Sequence, residues 1–501
     1  MTEQIDSYLQ LEQRFRRLYA LRGAERVLDW DGATLMPQGG AEARSEQLAA
    51  LGVLGHELLT DSLTGDLLDA AEAELNGGEA WRRANLREMR REWRHATALD
   101  ADFVEALGKA CRRCEMIWRE ARPKSDFALV RPALEEVLRL TRDAAARKAE
   151  VLGCSPYDAL LDLYEPGLTG ERVSAIFAGV EEFLPGLLGE VLERQAATSG
   201  PVQPEGPFPV AAQTALARTA MQQVGFDFRH GRLDTSLHPF CGGVPDDVRI
   251  TTRYDEGDFL SALFGVLHET GHALYERGLP ADWRLQPVGM ARGMMLHESQ
   301  SLLIEMQACR SPEFVSHLAP VAREAFGGKG PAWDAENLRR VVARVEPDFI
   351  RVDADEVTYP AHVLLRTGLE QALLSGDLPL ADLPGAWNEG MEKLLGIVPP
   401  EDRLGCLQDI HWFDGAFGYF PTYTLGAMAA AQLFAAACGA VPEIPDRLAR
   451  GDFAPLLGWL GDNVHGLGSS LGGEEIIERA TGKPLDPAVF EAHLRRRYLD
   501  V

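Results

Sequence analysis

Residues 258–279 read DFLSALFGVLHETGHALYERGL, and this stretch carries the pattern from which both the fold and the chemistry follow. Its apolar residues recur every three to four positions, which indicates an amphipathic helix. His268 and His272 are four residues apart, so they share one helix face and both imidazoles can bind one metal ion. Glu269 lies beside that face, where a carboxylate can take a proton from a metal-bound water molecule. The stretch therefore predicts a catalytic metal site on a helix.

A catalytic zinc ion usually has three protein ligands, so a third ligand must lie elsewhere in the chain. The extended motif with a third histidine requires Gly and His three and six residues after the second His. Those positions hold Tyr275 and Gly278, which excludes that class of site. Glu276 lies about 12 Å along the helix from His268, so it cannot reach the same ion.

The next acidic candidates lie in residues 291–305, ARGMMLHESQSLLIE. Glu298 and Glu305 share a helix face but are about 10 Å apart along its axis, so only one of them can bind. Glu298 is the better candidate because its neighbours His297 and Ser299 are polar, whereas Glu305 follows an apolar run. The alternative for Glu298 is an ordinary carboxylate on the surface of a helix.

Helical periodicity dominates the chain of 501 residues, of which 46% are hydrophobic and 25% charged, as in ordinary globular proteins. Strand-like alternation occurs at 245–254, and the segment 233–240 could pair with it as a hairpin. We therefore expect an all-α fold with a small β element, forming a single domain over 1–501. About 1–200 would be a scaffold or lid, and about 201–501 the catalytic half. The predicted helical segments are 81–99, 131–152, 171–196, 258–277, 293–309, 335–346, 355–374 and 426–438.

The composition excludes several classes of partner. Fifty basic residues against 76 acidic ones give a net charge of −26, which argues against binding to nucleic acid or to an anionic membrane. Residues 415–442 carry no charge, but their alanines, tyrosines and Pro421 favour a buried core helix over a membrane span. The first fifteen residues lack the pattern of a signal peptide, and seven cysteines do not form a secreted disulfide framework. We expect a cytoplasmic protein.

Further motifs follow one another along essentially the whole chain. They are VLDWDGATLMP at 27–37, HPF at 238–240, DVRITTRY at 247–254, HETGH at 268–272, HESQS at 297–301, IRVDADEVTYPAH at 350–362, GCLQDIHW at 405–412, FGYFPTYTLG at 417–426 and ATGKPLDP at 480–487. Together they resemble the carboxypeptidase Taq family of zinc metallocarboxypeptidases.

The resemblance implies a helical fold with a long deep groove, similar to that of angiotensin-converting and neurolysin-like peptidases. It implies that Glu298 is the third zinc ligand, in agreement with the choice made from spacing. It also implies that the enzyme removes single residues from the C-terminus of peptide substrates. Most side chains would be accepted, whereas proline would resist cleavage. Zinc, for which cobalt can substitute, and a homodimer are expected on the same ground.

Three residues outside the metal site are expected to act on the substrate. Arg351 matches the family's candidate for binding the terminal carboxylate, although an ion pair with Asp353 or Asp355 is the alternative. Tyr419 and Tyr423 lie in an aromatic segment broken by Gly and Pro. One of these phenols is expected to donate a hydrogen bond to the developing oxyanion, and core packing is the alternative for either.

The remaining family positions are weaker predictions. His238 matches a histidine expected near the site as a hydrogen-bond donor, and would otherwise be a loop residue. Arg249 and Gln408 match residues that line the far end of the groove, but Arg249 is equally suited to an ion pair with Asp247. Pro360 replaces the family's usual Asn, and we expect it to break a helix locally.

Two other functions remain open at this point. An endo-acting zinc oligopeptidase would use the same residues in the same groove. A peptide-binding scaffold would keep zinc for structure alone, but the intact Glu269 argues against it because such a protein has no need for a base.

Overall fold

The computed structural model describes residues 6–74 and 79–500. Within these ranges helices dominate, and the only sheet has three short strands, so the expected mainly helical fold is confirmed. In chain order the helices and strands are α1 Ser7–Thr34, α2 Ala41–Thr60, α3 Ser62–Glu74, α4 Ala80–Thr97, α5 Ala101–Lys124, α6 Phe127–Leu152, α7 Pro156–Leu161, α8 Gly170–Ala196, α9 Val210–Val224, β1 Gly231–Thr235, β2 Cys241–Val244, β3 Asp247–Thr252, α10 Phe259–Gly278, α11 Gly293–Leu302, α12 Pro312–Phe326, α13 Ala335–Val342, α14 Tyr359–Ser375, α15 Leu383–Leu395, α16 Pro421–Ala440, α17 Ile444–Leu448, α18 Ala454–Asn463, α19 Gly473–Thr481 and α20 Pro487–Tyr498.

The first four helices have a hydrophobic core of their own. Leu11 and Phe15 of α1 pack with Leu68 of α3 and Met89 of α4, and all four side chains are buried. Helices α5 to α20 instead contribute to one larger core. Burial of these apolar side chains supplies most of the stabilisation in both cores.

Helix α16 runs through the larger core. Leu425, Met428 and Leu433 are buried, and the helix packs closely against α11. Among the described helices it is the one long and apolar enough to cross a membrane. Its burial confirms the prediction of a core helix for this uncharged segment.

The small sheet has the strand order β1-β3-β2, with β1 parallel and β2 antiparallel to β3. The segments 233–240 and 245–254 do pair, as expected, but they run in parallel, so the expected hairpin is wrong. Its first residues belong to the parallel strand β1, and the antiparallel partner of β3 is β2. The chain leaves the sheet after Thr235, and Pro239, which cannot donate to a strand ladder, lies in the loop before β2. Gly243, with φ of +87°, then lies in β2 just before the turn into β3.

The sheet supports one side of α10. Val248 and Ile250 of β3 pack with Val266 and Ala273 of α10 and with Met221 of α9 in a small buried cluster. This packing leaves the opposite side of α10, with its two histidines, free to meet α11.

Pro360 does not break a helix, contrary to the expectation from the sequence. It is the second residue of α14, where the backbone N–H has no intrahelical partner in any case. Its fixed φ therefore favours the start of the helix.

Glu356 ties the C-terminal helix α20 to the segment before α14. Its carboxylate accepts hydrogen bonds from His493 Nε2 and Arg497 Nη1, both at 2.8 Å, and from the Tyr498 hydroxyl at 3.0 Å. Gln307 Nε2 donates a further bond at 2.8 Å. Burial alone would raise the pKa of Glu356, but the charges of Arg497 and His493 outweigh it and hold the pKa well below its usual range.

We expect Glu356→Gln to lower the free energy of unfolding at pH 7 by about 3–5 kcal/mol, because Arg497 would lose its buried counter-charge. A carboxyl with a depressed pKa stabilises the fold above its unfolded pKa of about 4.3, and this contribution is lost as the pH falls. The native protein and the variant should therefore differ less in urea unfolding at pH 3 than at pH 7. Glu491→Gln, which removes a half-exposed pair with Arg495 on the same helix, should cost less than about 1 kcal/mol. Equal losses for the two variants would contradict this role of Glu356.

Candidate active site

Helices α10 and α11 bring two histidines and one glutamate together. The rings of His268 and His272 are 5.0 Å apart between centroids. Oε2 of Glu298, on α11, lies 3.4 Å from His272 Nε2 and 3.8 Å from His268 Nε2. One ligand atom from each of the three residues lies within 4.8 Å of the others, so they could hold one metal ion.

The three side chains suit a catalytic metal ion in their chemistry as well as in their spacing. Two imidazole nitrogens and one carboxylate oxygen form a ligand set that catalytic zinc sites use, with a further position open for water or substrate. In the part of the chain that the structure describes, this is the one group of three such residues with that geometry.

Glu305 holds the ring of His268 from outside the cluster. One carboxylate oxygen lies 3.0 Å from His268 Nδ1, and the other accepts a hydrogen bond from Arg310 Nη2 at 2.7 Å. Residues 303–309 continue α11 as a π-helix, and this wider turn carries Glu305. As the spacing predicted, the two glutamates on this face do not both enter the cluster. Glu305 fixes His268 so that its Nε2 faces Glu298.

His272 is held in a similar way through His297. The Nδ1 atoms of these two rings are 2.7 Å apart, and His297 Nε2 lies 3.0 Å from Glu276 Oε1. Glu276 thus stays outside the cluster, as its position on α10 predicted, but it orients a ligand candidate through a relay of two hydrogen bonds.

We expect Glu305→Gln to weaken metal binding by about 10-fold or more, because substitutions of residues that orient metal ligands typically cost 10–100-fold in affinity. Competition with a chromophoric chelator measures the affinity. Glu324→Gln, at an exposed position on α12, is the matched control and should leave it unchanged. Identical affinities for the native protein and Glu305→Gln would show that the contact with His268 is unimportant.

Glu269 is poised to exchange a proton. It is only 8% exposed. Burial raises its pKa to about 7, although the neighbouring His268 opposes the shift. A carboxyl with a pKa near neutrality can act as both acceptor and donor of a proton during one catalytic cycle.

Two glycines allow the helices that carry these residues to approach closely. A Cβ atom on Gly271 would lie 2.4 Å from the carbonyl oxygen of Gln300 on α11. A Cβ atom on Gly426 of α16 would lie 2.9 Å from Cβ of Glu298. Neither position tolerates a side chain without a shift of the helix, and such a shift would displace Glu298. Both glycines stand in motifs, HETGH and FGYFPTYTLG, whose packing role the sequence did not reveal.

Tyr419 lies just before α16 and Tyr423 lies in its first turn. Their ring centroids are 5.3 Å apart. The hydroxyl of Tyr423 lies 3.2 Å from His411 Nε2. Burial, together with the negative charge of the nearby Glu298, raises the pKa of both phenols, to about 12 for Tyr423. Both hydroxyls are therefore protonated at neutral pH and able to donate a hydrogen bond close to the metal cluster.

Arg351 is ion-paired, but with Asp409 rather than with Asp353 or Asp355. Its Nε and Nη2 donate to Asp409 Oδ1 at 3.1 and 2.8 Å. Arg366 Nε donates to the other oxygen of Asp409 at 2.7 Å. Two arginines thus share one aspartate, and within the described residues neither arginine has a second ion pair.

The guanidinium of Arg351 lies near the predicted phenols. Its central carbon is 4.7 Å from the ring centroid of Tyr423, and its Nη1 donates to the hydroxyl of Tyr359 at 3.0 Å. Gln408 fixes the backbone here, because its Oε1 accepts from the Arg351 N–H at 2.9 Å and its Nε2 donates to the carbonyl of Phe349. The structure therefore gives Gln408 a positioning contact with Arg351.

His238 and Arg249 lie around the sheet. His238 is exposed in the loop between β1 and β2. Arg249 Nη2 forms an ion pair with Asp247 at 2.6 Å, and its guanidinium lies 4.5 Å from the ring of Trp30. Among the described residues, neither side chain forms a hydrogen bond or ion pair with the three clustered residues.

Sequence reasoning missed several residues that surround the site. Asp409 and His411 stand in the motif GCLQDIHW, and Tyr359 stands in the motif of Arg351, so all three were visible but had no assigned role. Arg366 lies one turn after His362 in α14, and no sequence signal connects it to Asp409. The missed residues are Tyr359, Arg366, Asp409, His411, His297 as a relay, and Glu305 with Arg310.

The chain resembles known proteins along nearly its whole length. Residues 10–498 match the family described as Carboxypeptidase Taq (M32) metallopeptidase. Thermostable carboxypeptidase 1 of Thermus thermophilus is 40% identical over 483 residues, covering 94% of each chain. Thermostable carboxypeptidase 1 of Pyrococcus furiosus is 36% identical over 509 residues, covering 99% of each chain. The structure of metallocarboxypeptidase 1 of Trypanosoma cruzi superposes with a TM-score of 0.97 at 43% identity, covering 99% of each chain.

Proposed function

The chain belongs to the carboxypeptidase Taq (M32) metallopeptidase family and is a metallocarboxypeptidase, and on this premise we propose how its residues carry out the reaction. A divalent metal ion is held by His268, His272 and Glu298, and Glu269 is the general base. The observation that carries the proposal is the convergence of these three ligand atoms beside a buried carboxyl with a pKa of about 7.

When bound, the metal ion supplies Lewis-acid chemistry, polarising the scissile carbonyl and making a water molecule more acidic. Glu269 accepts a proton from the attacking water and then donates it to the leaving amine, as its pKa near 7 permits. The ligand histidines stay in place because Glu305 and His297 hold their other ring nitrogens.

The negative charge that develops on the oxygen of the scissile carbonyl receives a hydrogen bond from a phenol. Tyr419 and Tyr423 are the candidates, because both stay protonated at neutral pH and both lie near Glu298. His238 is proposed as a further donor that approaches when substrate binds, and Arg249 as a residue at the far end of the groove.

Arg351 is proposed to bind the terminal carboxylate of the peptide. The surplus positive charge of the Arg351–Asp409–Arg366 group supports this role, because it favours an additional anion. Gln408 positions Arg351 through its backbone N–H.

We expect Arg351→Gln to lower kcat/KM for peptides with a free C-terminus by roughly 30-fold or more, since losing one partner of a buried charge pair costs about 2–5 kcal/mol. Hydrolysis of the corresponding C-terminal amide, which makes no charge pair with Arg351, provides the internal control and should change little. A fall by the same factor for acid and amide would assign Arg351 a structural role instead.

The proposed function is tested by following amino-acid release from N-blocked Ala-Arg and from its C-terminal amide. The protein is assayed as isolated, after removal of metal with a chelator, and after return of zinc or cobalt. Release from the free acid that is roughly 30-fold or more faster than release from the amide, lost on chelation and restored by metal, is the expected result. Equal cleavage of the amide would contradict recognition of the carboxylate and favour an endo-acting peptidase.

Zinc is the metal we propose, with cobalt able to substitute, because two imidazoles and one carboxylate are ligands that suit it. We also propose broad tolerance for the C-terminal side chain, with proline resisted. These details follow from the resemblance of the motifs to the family.

A cytoplasmic homodimer is the form in which we propose that the enzyme acts on its peptide substrates. All seven cysteines are free in the structure, and unpaired cysteines suit a reducing compartment. We further propose a single catalytic domain over 1–501, in which 201–501 carries the chemistry and 1–200 acts as scaffold or lid. The separate core of α1 to α4 supports a distinct role for the N-terminal helices.

A further inference from the structure

A cavity of about 920 Å³ lies apart from the metal centre, between the end of α8, helices α12 and α13, α16 and α20. Its volume is within the range of pockets that bind small molecules. None of the three metal-ligand candidates lines it, nor do Glu269 and Arg351. The cavity is therefore a site separate from the one that hydrolyses peptides.

The charge of this cavity is opposite to that of the whole protein. The chain carries 76 acidic and 50 basic residues, yet the cavity wall has seven arginines against two glutamates. The arginines are Arg194 at the end of α8, Arg310 after the π-helix, Arg339, Arg340 and Arg344 in and after α13, and Arg496 and Arg497 of α20.

Several of these positive groups have no counter-charge within the described residues. Arg194, Arg340 and Arg496 form no ion pair. The other four arginines of the wall are each paired with a glutamate: Arg310 with Glu305, Arg339 with Glu336, Arg344 with Glu346 and Arg497 with Glu356. The Nε atoms of Arg310 and Arg339 are buried and make no hydrogen bond. An anion in the cavity would supply the counter-charge that Arg194, Arg340 and Arg496 lack.

Part of the cavity wall is apolar. Val191, Phe434 and Leu448 line it together with Cys438. An inorganic anion would make no use of this surface, so the wall fits a ligand that combines an anionic group with an apolar ring or chain.

We propose that this cavity binds a small organic phosphate. Arginine forks match the oxygens of a phosphoryl group and can bind it bidentately. A free amino acid, the product of the peptidase reaction, carries an ammonium group that the surplus of arginines would repel. A phosphorylated small molecule has negative charge alone and suits the wall better.

The cavity is connected to the metal centre by a short chain of hydrogen bonds. Arg310 lines the cavity and donates to Glu305 at 2.7 Å, and the same carboxylate lies 3.0 Å from His268. A phosphate on Arg310 competes with Glu305 for that guanidinium, so it changes the contact that orients His268. This coupling rests on the proposed function of the metal centre, whereas binding in the cavity does not.

The test is isothermal titration calorimetry of the metal-loaded, full-length protein at low salt, with AMP and phenyl phosphate as probes. Adenosine and inorganic phosphate are the matched controls. We expect at least one organic phosphate to bind, inorganic phosphate to bind more weakly, and adenosine to give no heat. No heat from either organic phosphate would overturn the proposal, as would adenosine binding as tightly as AMP.

Charge reversal locates the site. Arg194→Glu and Arg496→Glu, both at exposed positions, should weaken binding of the organic phosphate at least 10-fold and leave peptidase activity without ligand unchanged. Arg17→Glu, at an exposed position on α1, should bind like the native protein. Equal affinities for all three variants would place the ligand elsewhere. Metal affinity that does not change at a saturating concentration of the organic phosphate would overturn the coupling to His268.

Discussion

Glu269→Gln is expected to lower kcat by about 10³- to 10⁴-fold, because the variant loses the group that takes the proton from water and gives it to the leaving amine. The substitution preserves the size of the side chain and does not touch the ligand set. Metal content, measured by atomic emission after dialysis, should therefore equal that of the native protein. Single-turnover kinetics with N-blocked Ala-Arg would locate the loss in the chemical step.

Glu324→Gln is the matched control, since the same change is made at an exposed position on α12. It should keep native activity and native metal content. Retention of near-native kcat in Glu269→Gln would show that another group is the base. Loss of metal together with activity would instead make Glu269 part of the metal site.

Glu298→Gln is expected to weaken metal binding by more than 100-fold. Substituting a residue that only orients a ligand typically lowers the affinity by about 10–100-fold, and loss of a ligand should lower it further. Burial alone would raise the pKa of Glu298, but the charge of His268 and a hydrogen bond from His272 outweigh it and lower the pKa to about 2. The native side chain is therefore a carboxylate at neutral pH, and the substitution removes the only negative ligand of the cluster.

The dependence of activity on metal distinguishes this variant from Glu269→Gln. Activity of Glu298→Gln should be lost at one equivalent of zinc and should recover in part as free zinc is raised. Activity of Glu269→Gln should not respond to added metal. If Glu298→Gln binds zinc as tightly as the native protein, Glu298 is not a ligand.

The parts of the structure that were predictable from the sequence depend on local patterns. The 3.6-residue period of residues 258–277 and 426–438 indicated α10 and α16, and four-residue spacing placed His268 and His272 on one face. A seven-residue spacing allowed only one of Glu298 and Glu305 to bind, and the polar neighbours of Glu298 favoured that residue. In each case the residues that decide the geometry belong to one helix.

The parts that were not predictable depend on contacts between distant segments. Arg351 meets Asp409 58 residues later, and Glu356 meets Arg497 141 residues later, so no local pattern identifies either partner. The sheet was predicted only in part for the same reason. Residues 233–235 do pair with β3, but in parallel, because alternation indicates a strand but not the direction of its neighbour. The basic cavity joins arginines from four separate segments and could not be seen before the chain was folded.

The most direct test of the metal centre is anomalous diffraction above the zinc absorption edge from crystals of the zinc-loaded protein. We expect one strong peak in each molecule, about 2.0–2.2 Å from His268 Nε2, His272 Nε2 and a carboxylate oxygen of Glu298. A zinc peak next to other residues would contradict this assignment. So would a zinc ion that is not bound by Glu298 in fully active protein.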